Sequence, residues 1–276
     1  MKLAFTKMHG LGNDFVLINA LENDISLDPE KLRFLADRRR GVGCDQVLLI
    51  ENSPLADADI RYRIFNADGG EVEQCGNGVR CVGEYLRRHG LVTGENVRVD
   101  TNAGMVTIYF EDNELIRVDM GVPDFEPVNI PLETSERQPA YHFSLEQQAL
   151  EFMAVSMGNP HAVIMTDSTE TVQVEKIAPQ LQAHAMFPES VNVGFMQVID
   201  SGHIRLRVYE RGVGETQACG TGACAAVATG INAGRLEQQV DVELQGGHLQ
   251  INWAGEGEPV WMLGPATSVF EGQIEL

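Results

Sequence analysis

The two halves of this chain repeat one another, and this duplication constrains the fold more than any other feature of the sequence. Short stretches recur in the same order at offsets of 143 to 146 residues. Residues 12–18 return as residues 158–164, and Gln46 ahead of a valine returns as Asn192 ahead of a valine. Chance does not supply a series of such matches in one order. The sequence therefore predicts two similar domains, with a boundary near residue 120.

The most specific repeat surrounds two cysteines. Cys75 begins the sequence CGNG and Cys219 begins CGTG, and a glutamate stands four residues ahead of each cysteine. Fifteen residues after each cysteine comes a glycine, Gly90 or Gly234. Because glycine after the cysteine lets the backbone turn, we expect one main helix in each half, beginning at its cysteine.

The segments after these helices alternate apolar and polar residues on both sides of a glycine, at 97–110 and at 240–253. A period of two predicts half-buried antiparallel strands. Residues 29–38 and 174–184 are amphipathic and predict surface helices. We therefore expect an α+β (α/β) fold of two pseudo-symmetric domains, each a curved, mainly antiparallel sheet or barrel wrapped around a central helix.

Charge and cysteine content indicate the surroundings in which the protein works. The net charge of -20 and pI near 4.6 disfavour partners with phosphate backbones and anionic membranes. Five cysteines, an odd number, are unlike a disulfide framework, and the first ten residues lack the apolar core of a signal peptide. We expect a cytoplasmic protein with reduced thiols, no nucleic-acid partner and no membrane association.

A duplicated fold brings equivalent positions to face each other, so we expect Cys75 and Cys219 to meet in an active-site cleft between the domains. A helix start carries partial positive charge and unpaired N–H groups, which lower a thiol pKa and bind a carboxylate. One thiolate can then remove the proton next to a carboxylate while the opposite thiol returns one to the other face. This inversion needs no cofactor, and the chain lacks a G-x-G-x-x-G dinucleotide motif.

The cysteines of this chain also allow other interpretations. Cys44, Cys81 and Cys224 are interpreted as small buried core residues. A zinc site is disfavoured because the two cysteines of each helix are six and five residues apart and lie on different helix faces. A duplicated thiol protein that binds a partner or senses oxidants is the alternative that is not an enzyme.

Five motifs closely resemble the diaminopimelate epimerase family, and the resemblance runs essentially from end to end. The motifs are HGLGNDF (9–15), FNADGGEVEQCGNG (65–78), MGNPH (157–161), VNVGF (191–195) and YERGVGETQACGTGAC (209–224). The resemblance implies interconversion of LL- and meso-2,6-diaminopimelate without pyridoxal phosphate, in lysine and peptidoglycan precursor synthesis. It also implies a homodimer and two domains, one of residues 1–119 with 265–276 and one of residues 120–264.

The resemblance assigns roles to particular residues. Cys75 and Cys219 would be the two acid–base residues, and His161 and Glu210 would lie close to the chemistry. The helix-start donors to the reacting carboxylate would be Gly76, Asn77, Gly220 and Thr221. The substrate site would further be lined by Asn13, Gln46, Asn66, Asn159, Asn192, Glu210 and Arg211.

The chain departs from the family pattern at a few positions. Thr221 stands where serine is common and keeps the hydroxyl, and Gly70 also replaces a common serine. Phe270 stands where a dimer-contact tyrosine is often found, and without a hydroxyl it cannot make the intersubunit hydrogen bond of that tyrosine. A proline racemase or a phenazine-pathway relative is the competing isomerase; the former has no distal end for Arg211 to bind, and the latter lacks the paired cysteines.

Overall fold

The computed structural model describes residues 2–72, 75–111, 114–145 and 148–276. The chain divides into two compact units. The first unit comprises Met1–Val118 and Gly264–Leu276, and the second comprises Asp119–Leu263. None of the helices in the described ranges is long and apolar enough to span a membrane.

The helices and strands are numbered in chain order. They are β1 (Lys2–Gly10), β2 (Asn13–Asn19), α1 (Pro29–Ala36), β3 (Gln46–Glu51), β4 (Ile60–Asn66), β5 (Glu71–Val72), α2 (Gly76–Arg88), β6 (Asn96–Thr101), β7 (Gly104–Phe110), β8 (Ile116–Asp119), β9 (Tyr141–Leu145), β10 (Gln148–Ser156), β11 (Pro160–Met165), α3 (Val174–Gln182), β12 (Asn192–Asp200), β13 (His203–Glu210), β14 (Gly214–Thr216), α4 (Gly220–Asn232), β15 (Gln239–Leu244), β16 (Gly247–Trp253), β17 (Val260–Gly264) and β18 (Thr267–Glu275). A short 3₁₀ helix covers Pro127–Asn129.

The two units pair their strands in the same order. In the first, β1 runs antiparallel to β2, β2 parallel to β3, β3 antiparallel to β4, and β4 parallel to β6. In the second, β10 runs antiparallel to β11, β11 parallel to β12, β12 antiparallel to β13, and β13 parallel to β15. The repeated sequence motifs therefore correspond to a repeated topology, which adds parallel pairs to the mainly antiparallel sheets that were predicted.

Each unit also contains the predicted pair of alternating strands joined at a glycine. β6 pairs with β7 and β15 pairs with β16, both antiparallel. The second strands of these hairpins begin at Gly104 and Gly247, whose φ values are +114° and +136°. Side chains with a Cβ disfavour this backbone conformation, so glycine at these two positions sets the point at which the chain reverses.

One buried helix lies at the centre of each unit. In the first unit α2 packs against β1, β7 and β18, and in the second α4 packs against β10–β13 and β16. The packing is close at the second glycine of each CGxG motif. A Cβ on Gly78 would lie 2.4 Å from the hydroxyl oxygen of Tyr62, and one on Gly222 would lie 3.0 Å from Cγ2 of Val208. The helix start can therefore approach the sheet only without a side chain at this position.

The other two α-helices of the described residues, α1 and α3, are peripheral. The predicted surface helices at 29–38 and 174–184 form as the slightly shorter α1 and α3, and each buries an apolar stripe against its own sheet. The C-terminal strand β18 pairs antiparallel with β1 in the first unit. None of its nine residues is buried, and the side chains of Val269 and Phe270 are about half exposed.

Candidate active site

Cys75 is the N-cap residue of α2, with φ −142° and ψ 115°. Its half-buried Sγ lies 3.6 Å from Oδ1 of Asn13, at the start of β2. The same oxygen accepts a hydrogen bond of 3.2 Å from Nδ2 of Asn77, in the first turn of α2. The structure therefore brings together three predicted site residues of the first half around the cysteine thiol.

Two further predicted residues of the first half form a pair beside one another. Gln46 begins β3 and Asn66 ends β4, and they are directly opposed in the strand register. Nε2 of Gln46 donates a hydrogen bond of 2.8 Å to Oδ1 of Asn66. Each side chain is partly exposed, so the pair keeps hydrogen-bonding capacity for a ligand.

Cys219 occupies the equivalent position in the second unit, as the N-cap residue of α4. Its Sγ lies 3.5 Å from Oγ1 of Thr221, and this hydroxyl accepts a 3.4 Å hydrogen bond from Nδ2 of Asn159. Oδ1 of Asn159 lies 2.9 Å from Nε2 of His161. Because the Asn159 oxygen can only accept, Nε2 of His161 carries the hydrogen in this contact. Four predicted residues thus form one connected group.

His161 is fully buried, and burial lowers the pKa of its imidazole to about 3, with a smaller contribution from the Arg211 cation. The imidazole is therefore neutral at physiological pH. A neutral ring has one N–H donor and one acceptor nitrogen, which fits the donor role of Nε2 toward Asn159. His161 acts here as a fixed polar partner of the asparagine.

The thiol of Cys219 does not have the lowered pKa that its helix start predicts. Burial raises the pKa of Cys219 well above its usual value, and the Glu210 carboxylate beside it raises it further. The Thr221 hydroxyl and the backbone N–H of Gly222 act in the opposite direction but are outweighed. The prediction of a lowered pKa is wrong for Cys219, because loss of hydration disfavours the thiolate more than the helix start favours it.

Glu210, Arg211 and Asn192 lie at the end of β13 and the start of β12. Oε1 of Glu210 accepts a 2.6 Å hydrogen bond from the hydroxyl of Thr216, and the Glu210 carboxylate also accepts from the Cys219 thiol. Asn192 is buried, with Nδ2 donating to the Pro160 carbonyl and Oδ1 accepting from the Arg211 backbone N–H at 2.9 Å. Asn192 therefore braces the backbone of Arg211.

The guanidinium of Arg211 lies at the surface of the second unit. It donates one hydrogen bond of 3.0 Å to the backbone carbonyl of Glu189. A guanidinium has five N–H donors, so this contact leaves donors that can bind a carboxylate.

The remaining cysteines have the structural role that was predicted for them. Cys44, Cys81 and Cys224 are all at most 2% exposed. Burial raises the pKa of Cys44 to about 12, and burial also raises that of Cys81. Among the residues that the structure describes, no group of three or more His, Cys, Asp and Glu side chains could hold a metal ion.

Sequence reasoning missed an ionic cluster next to Asn13. Asp14 accepts hydrogen bonds from Lys7 and from both terminal nitrogens of Arg38. Arg38 also contacts Oδ1 of Asp45 at 2.7 Å. Partial burial raises the pKa of Asp14, but the hydrogen bonds from Arg38 and Lys7 outweigh it and hold the pKa well below its usual range.

Asp45 and the fully buried Arg80 were also missed, although both contact predicted site residues. Oδ2 of Asp45 accepts from Nδ2 of Asn13 at 2.9 Å, and a terminal nitrogen of Arg80 donates to Oδ1 of Asn77 at 2.8 Å. At the repeat offsets, their counterparts in the second half are Val191 and Cys224. A search for repeated residues could not find them, and only the position of Asp45 directly ahead of Gln46 offered a signal.

Comparison with solved structures identifies the fold. The chain is similar to the phenazine biosynthesis protein of the PhzF family from Bacillus anthracis, with a TM-score of 0.72, 18% identity and full coverage of both chains. It is also similar to a hydroxyproline epimerase from Agrobacterium vitis, with a TM-score of 0.71 and 17% identity over 99% of this chain and 92% of the other. The predicted α+β class with two similar halves is confirmed. The chain has the fold of these proteins, and in this chain a cysteine is the N-cap of each central helix.

Comparison of sequences identifies the family within this fold. A family model described as diaminopimelate epimerase matches residues 5–126 and 153–269. The diaminopimelate epimerase of Nitrosospira multiformis is 56% identical over 100% of this chain and 99% of its own length. That of Nitrosomonas europaea is 53% identical over the whole of both chains. The chain belongs to the diaminopimelate epimerase family and is an isomerase, which confirms the resemblance seen in its motifs.

Proposed function

We propose that this protein interconverts LL- and meso-2,6-diaminopimelate by a two-base mechanism that uses Cys75 and Cys219 and no cofactor. One sulfur removes the α-proton from one face of the carbon, and the other thiol delivers a proton to the opposite face. The observation that carries the proposal is the equivalent placement of the two cysteines, each the N-cap of the central helix of its unit. The relevant domains are residues 1–119 with 265–276, and residues 120–264.

The helix starts supply the electrostatic part of the mechanism. Removal of the α-proton places a second negative charge on the substrate carboxylate, which becomes enediolate-like. Gly76 and Asn77 begin α2 and Gly220 and Thr221 begin α4, and the first backbone N–H groups of a helix point out of its N-terminal end. Fixed donors of this kind are worth about 3 kcal/mol each to a transition state in which charge develops.

Glu210 and His161 have different roles close to Cys219. Since the Cys219 thiol donates to the Glu210 carboxylate, Glu210 is the group to which this thiol can pass its proton. His161 remains neutral and holds Asn159, which in turn holds the Thr221 hydroxyl at the sulfur. Both roles are compatible with the expected importance of these residues for catalysis.

The other residues bind the ends of the substrate that do not react. Diaminopimelate has two ammonium–carboxylate ends, so its site requires a cation, amides and oxygen acceptors. Arg211 can grip the distant carboxylate with two parallel hydrogen bonds, held in place by Asn192. Amide oxygens of Gln46, Asn66 and Asn159 are suitable acceptors for the ammonium groups.

We further propose that the protein is a cytoplasmic homodimer without nucleic-acid partners. Phe270 is 49% exposed, lies edge-on to the Phe5 ring at 6.0 Å, and belongs to a strand without buried residues. Exposed apolar side chains on this strand offer a surface that a second copy would bury, which supports the proposal of a dimer. The acidic net charge of -20 argues against binding to phosphate backbones, and five thiols suit a reducing compartment.

The activity is tested by incubating the protein with LL-diaminopimelate in D2O, followed by chiral separation and mass analysis. The expected result is meso-diaminopimelate that carries one deuterium at the inverted carbon. Free proline is the comparison substrate and is expected not to exchange. Turnover of proline without turnover of diaminopimelate would instead assign a proline-type racemase.

The roles of the two cysteines are tested with Cys75→Ala and Cys219→Ala. Each variant is expected to lose epimerisation, because each direction of the reaction needs one thiolate base and one thiol acid. Cys224→Ala is the matched control, since this cysteine is fully buried in α4 one and a half turns beyond Cys219. Retention of more than a few per cent of activity in either of the first two variants contradicts the two-base mechanism.

A further inference from the structure

Four side chains of the first unit form a continuous chain of hydrogen bonds that passes the thiol of Cys75. Arg80 donates to Oδ1 of Asn77, and Nδ2 of Asn77 donates to Oδ1 of Asn13. Nδ2 of Asn13 then donates to Oδ2 of Asp45. The three donor–acceptor distances are 2.8, 3.2 and 2.9 Å. Cys75 contacts this chain at Oδ1 of Asn13.

The two ends of the chain determine which way both amides point. A guanidinium can only donate and a carboxylate can only accept, whereas an asparagine amide offers an oxygen on one side and a nitrogen on the other. Arg80 therefore selects the oxygen of Asn77, and Asp45 selects the nitrogen of Asn13. With both ends fixed, Asn13 has to present its carbonyl oxygen to the Cys75 sulfur.

The second unit has no equivalent of these ionic ends. The positions that correspond to Asp45 and Arg80 hold Val191 and Cys224, and the one corresponding to Asn77 holds Thr221. There the sulfur of Cys219 lies beside a hydroxyl, which can donate or accept. The side chains that fix amide direction are thus specific to the half that contains Cys75.

We propose that Asp45 and Arg80 are positioning residues for Cys75: they fix Asn13 so that its carbonyl accepts the thiol hydrogen and orients the sulfur for proton delivery. This role rests on the two-cysteine function proposed above, but the hydrogen-bond direction that it requires does not. When Asp45 is removed, only the longer hydrogen bond of 3.2 Å from Nδ2 of Asn77 still holds the Asn13 amide, so the amide turns and presents its N–H group to the sulfur in a larger fraction of molecules. That contact favours the thiolate, whereas the carbonyl favours the thiol.

The first experiment measures the pH dependence of Cys75 alkylation by iodoacetamide, with peptide mapping, in the full chain carrying Cys219→Ser. Asp45→Ala is compared with Asp45→Asn, which removes the same charge but keeps an oxygen that can accept from Asn13. The midpoint of the profile is expected to fall by about half a pH unit to one unit more in Asp45→Ala than in Asp45→Asn. Among the described residues, the charged and titratable groups around Cys75 and Asn13 besides Asp45 are Lys7, Asp14, Arg38, Tyr62, Arg80 and Cys81, and all of them are unchanged in both variants.

The second experiment measures epimerisation with both cysteines present. Asp45→Ala is expected to lower kcat about tenfold with KM within about twofold, and Asp45→Asn to retain most of the rate. Asp57→Ala is the control, because it removes another exposed carboxylate that pairs with an arginine, Arg98. It is expected to change neither the alkylation midpoint of Cys75 nor the kcat of epimerisation. If Asp45→Ala loses its folded structure, Asp45→Ser replaces it, since a serine is too short to reach Asn13.

Two results would overturn the proposal. Equal alkylation midpoints in Asp45→Ala and Asp45→Asn mean that Asp45 acts through its charge alone. An unchanged kcat in Asp45→Ala means that the direction of the Asn13 amide does not affect the reaction. Absence of epimerisation in the unaltered chain would contradict the proposed function, while the alkylation profiles would still test the hydrogen-bond direction.

Discussion

Replacement of Thr221 by valine tests how the protein supports the thiolate of Cys219. The Thr221 hydroxyl accepts from Nδ2 of Asn159, so its own hydrogen is available to the Cys219 sulfur at 3.5 Å. Valine has nearly the same shape but neither donates nor accepts. We expect Thr221→Val to slow epimerisation strongly, whereas Thr221→Ser, which keeps the hydroxyl, stays within about threefold of the unaltered rate.

The size of the effect follows from the contacts that are lost. A hydrogen bond to a charged group contributes about 1.5–3 kcal/mol, and each 1.36 kcal/mol is a factor of ten in rate. Loss of the bond to the thiolate therefore predicts a decrease in kcat of about tenfold to a hundredfold. The Thr221 hydroxyl also lowers the pKa of Cys219, so its removal raises that pKa further and moves the rate profile to higher pH.

The assay is the initial rate of deuterium incorporation and inversion from LL-diaminopimelate between about pH 6 and pH 10. Thermal unfolding of both variants serves as the control for folding. Because Thr221 is only half-buried, water can satisfy Asn159, and we expect a loss of about 1 kcal/mol or less in the free energy of unfolding. A valine variant that keeps more than a third of the rate, with an unchanged pH profile, would refute this role of the hydroxyl.

Three further predictions concern single charged or titratable groups. Arg211→Lys is expected to lower kcat/KM about a hundredfold or more with unchanged thermal unfolding, because lysine lacks the two-donor fork of a guanidinium. Near-normal kinetics in this variant would show that Arg211 does not bind the distal carboxylate. His161 is expected to show no imidazole titration by NMR between pH 5 and 8, since burial lowers its pKa to about 3. Because the unfolded state binds this proton below about pH 6.5, His161 also lowers the free energy of unfolding as the pH falls from there toward 3. Asp14→Asn is expected to lower the free energy of unfolding by about 1–3 kcal/mol at pH 7 in urea titrations. Since the folded pKa of Asp14 is depressed, this difference is present above about pH 4 and disappears as the pH falls below it.

The repeat in the sequence was sufficient to predict most of the architecture. Equal spacing of Cys75 and Cys219 from their glycines predicted one central helix per half, and alternation at 97–110 and 240–253 predicted the hairpins β6–β7 and β15–β16. These signals are local, since they depend on helix starts, turns and side-chain alternation. The parallel pairs β2–β3 and β11–β12 could not be read in this way, because residues far apart in the chain form them.

The sequence predicted which residues lie in the site better than it predicted their chemical properties. Motifs indicated Asn13, Asn77, Asn159 and Thr221, and the structure connects each of them to a cysteine directly or through one neighbour. The pKa of Cys219 could not be predicted, because the helix start is visible in the sequence whereas the depth of burial is not. A local electrostatic effect was therefore outweighed by desolvation, which only the packed structure reveals.

On the proposed two-base mechanism, the differences between the halves explain how a duplicated fold can serve a reaction that needs an acid and a base at the same time. Two identical halves would give both sulfurs the same hydrogen-bond partners and no reason to differ in protonation. Here Cys75 is half-buried and faces a carbonyl oxygen, whereas Cys219 is buried beside a hydroxyl and a carboxylate. Since the proposed reaction also runs in reverse, each thiol would have to take both roles in turn. The bias between them therefore has to be small. At Cys219 the two neighbours oppose each other, because the Thr221 hydroxyl favours the thiolate and the Glu210 carboxylate favours the thiol.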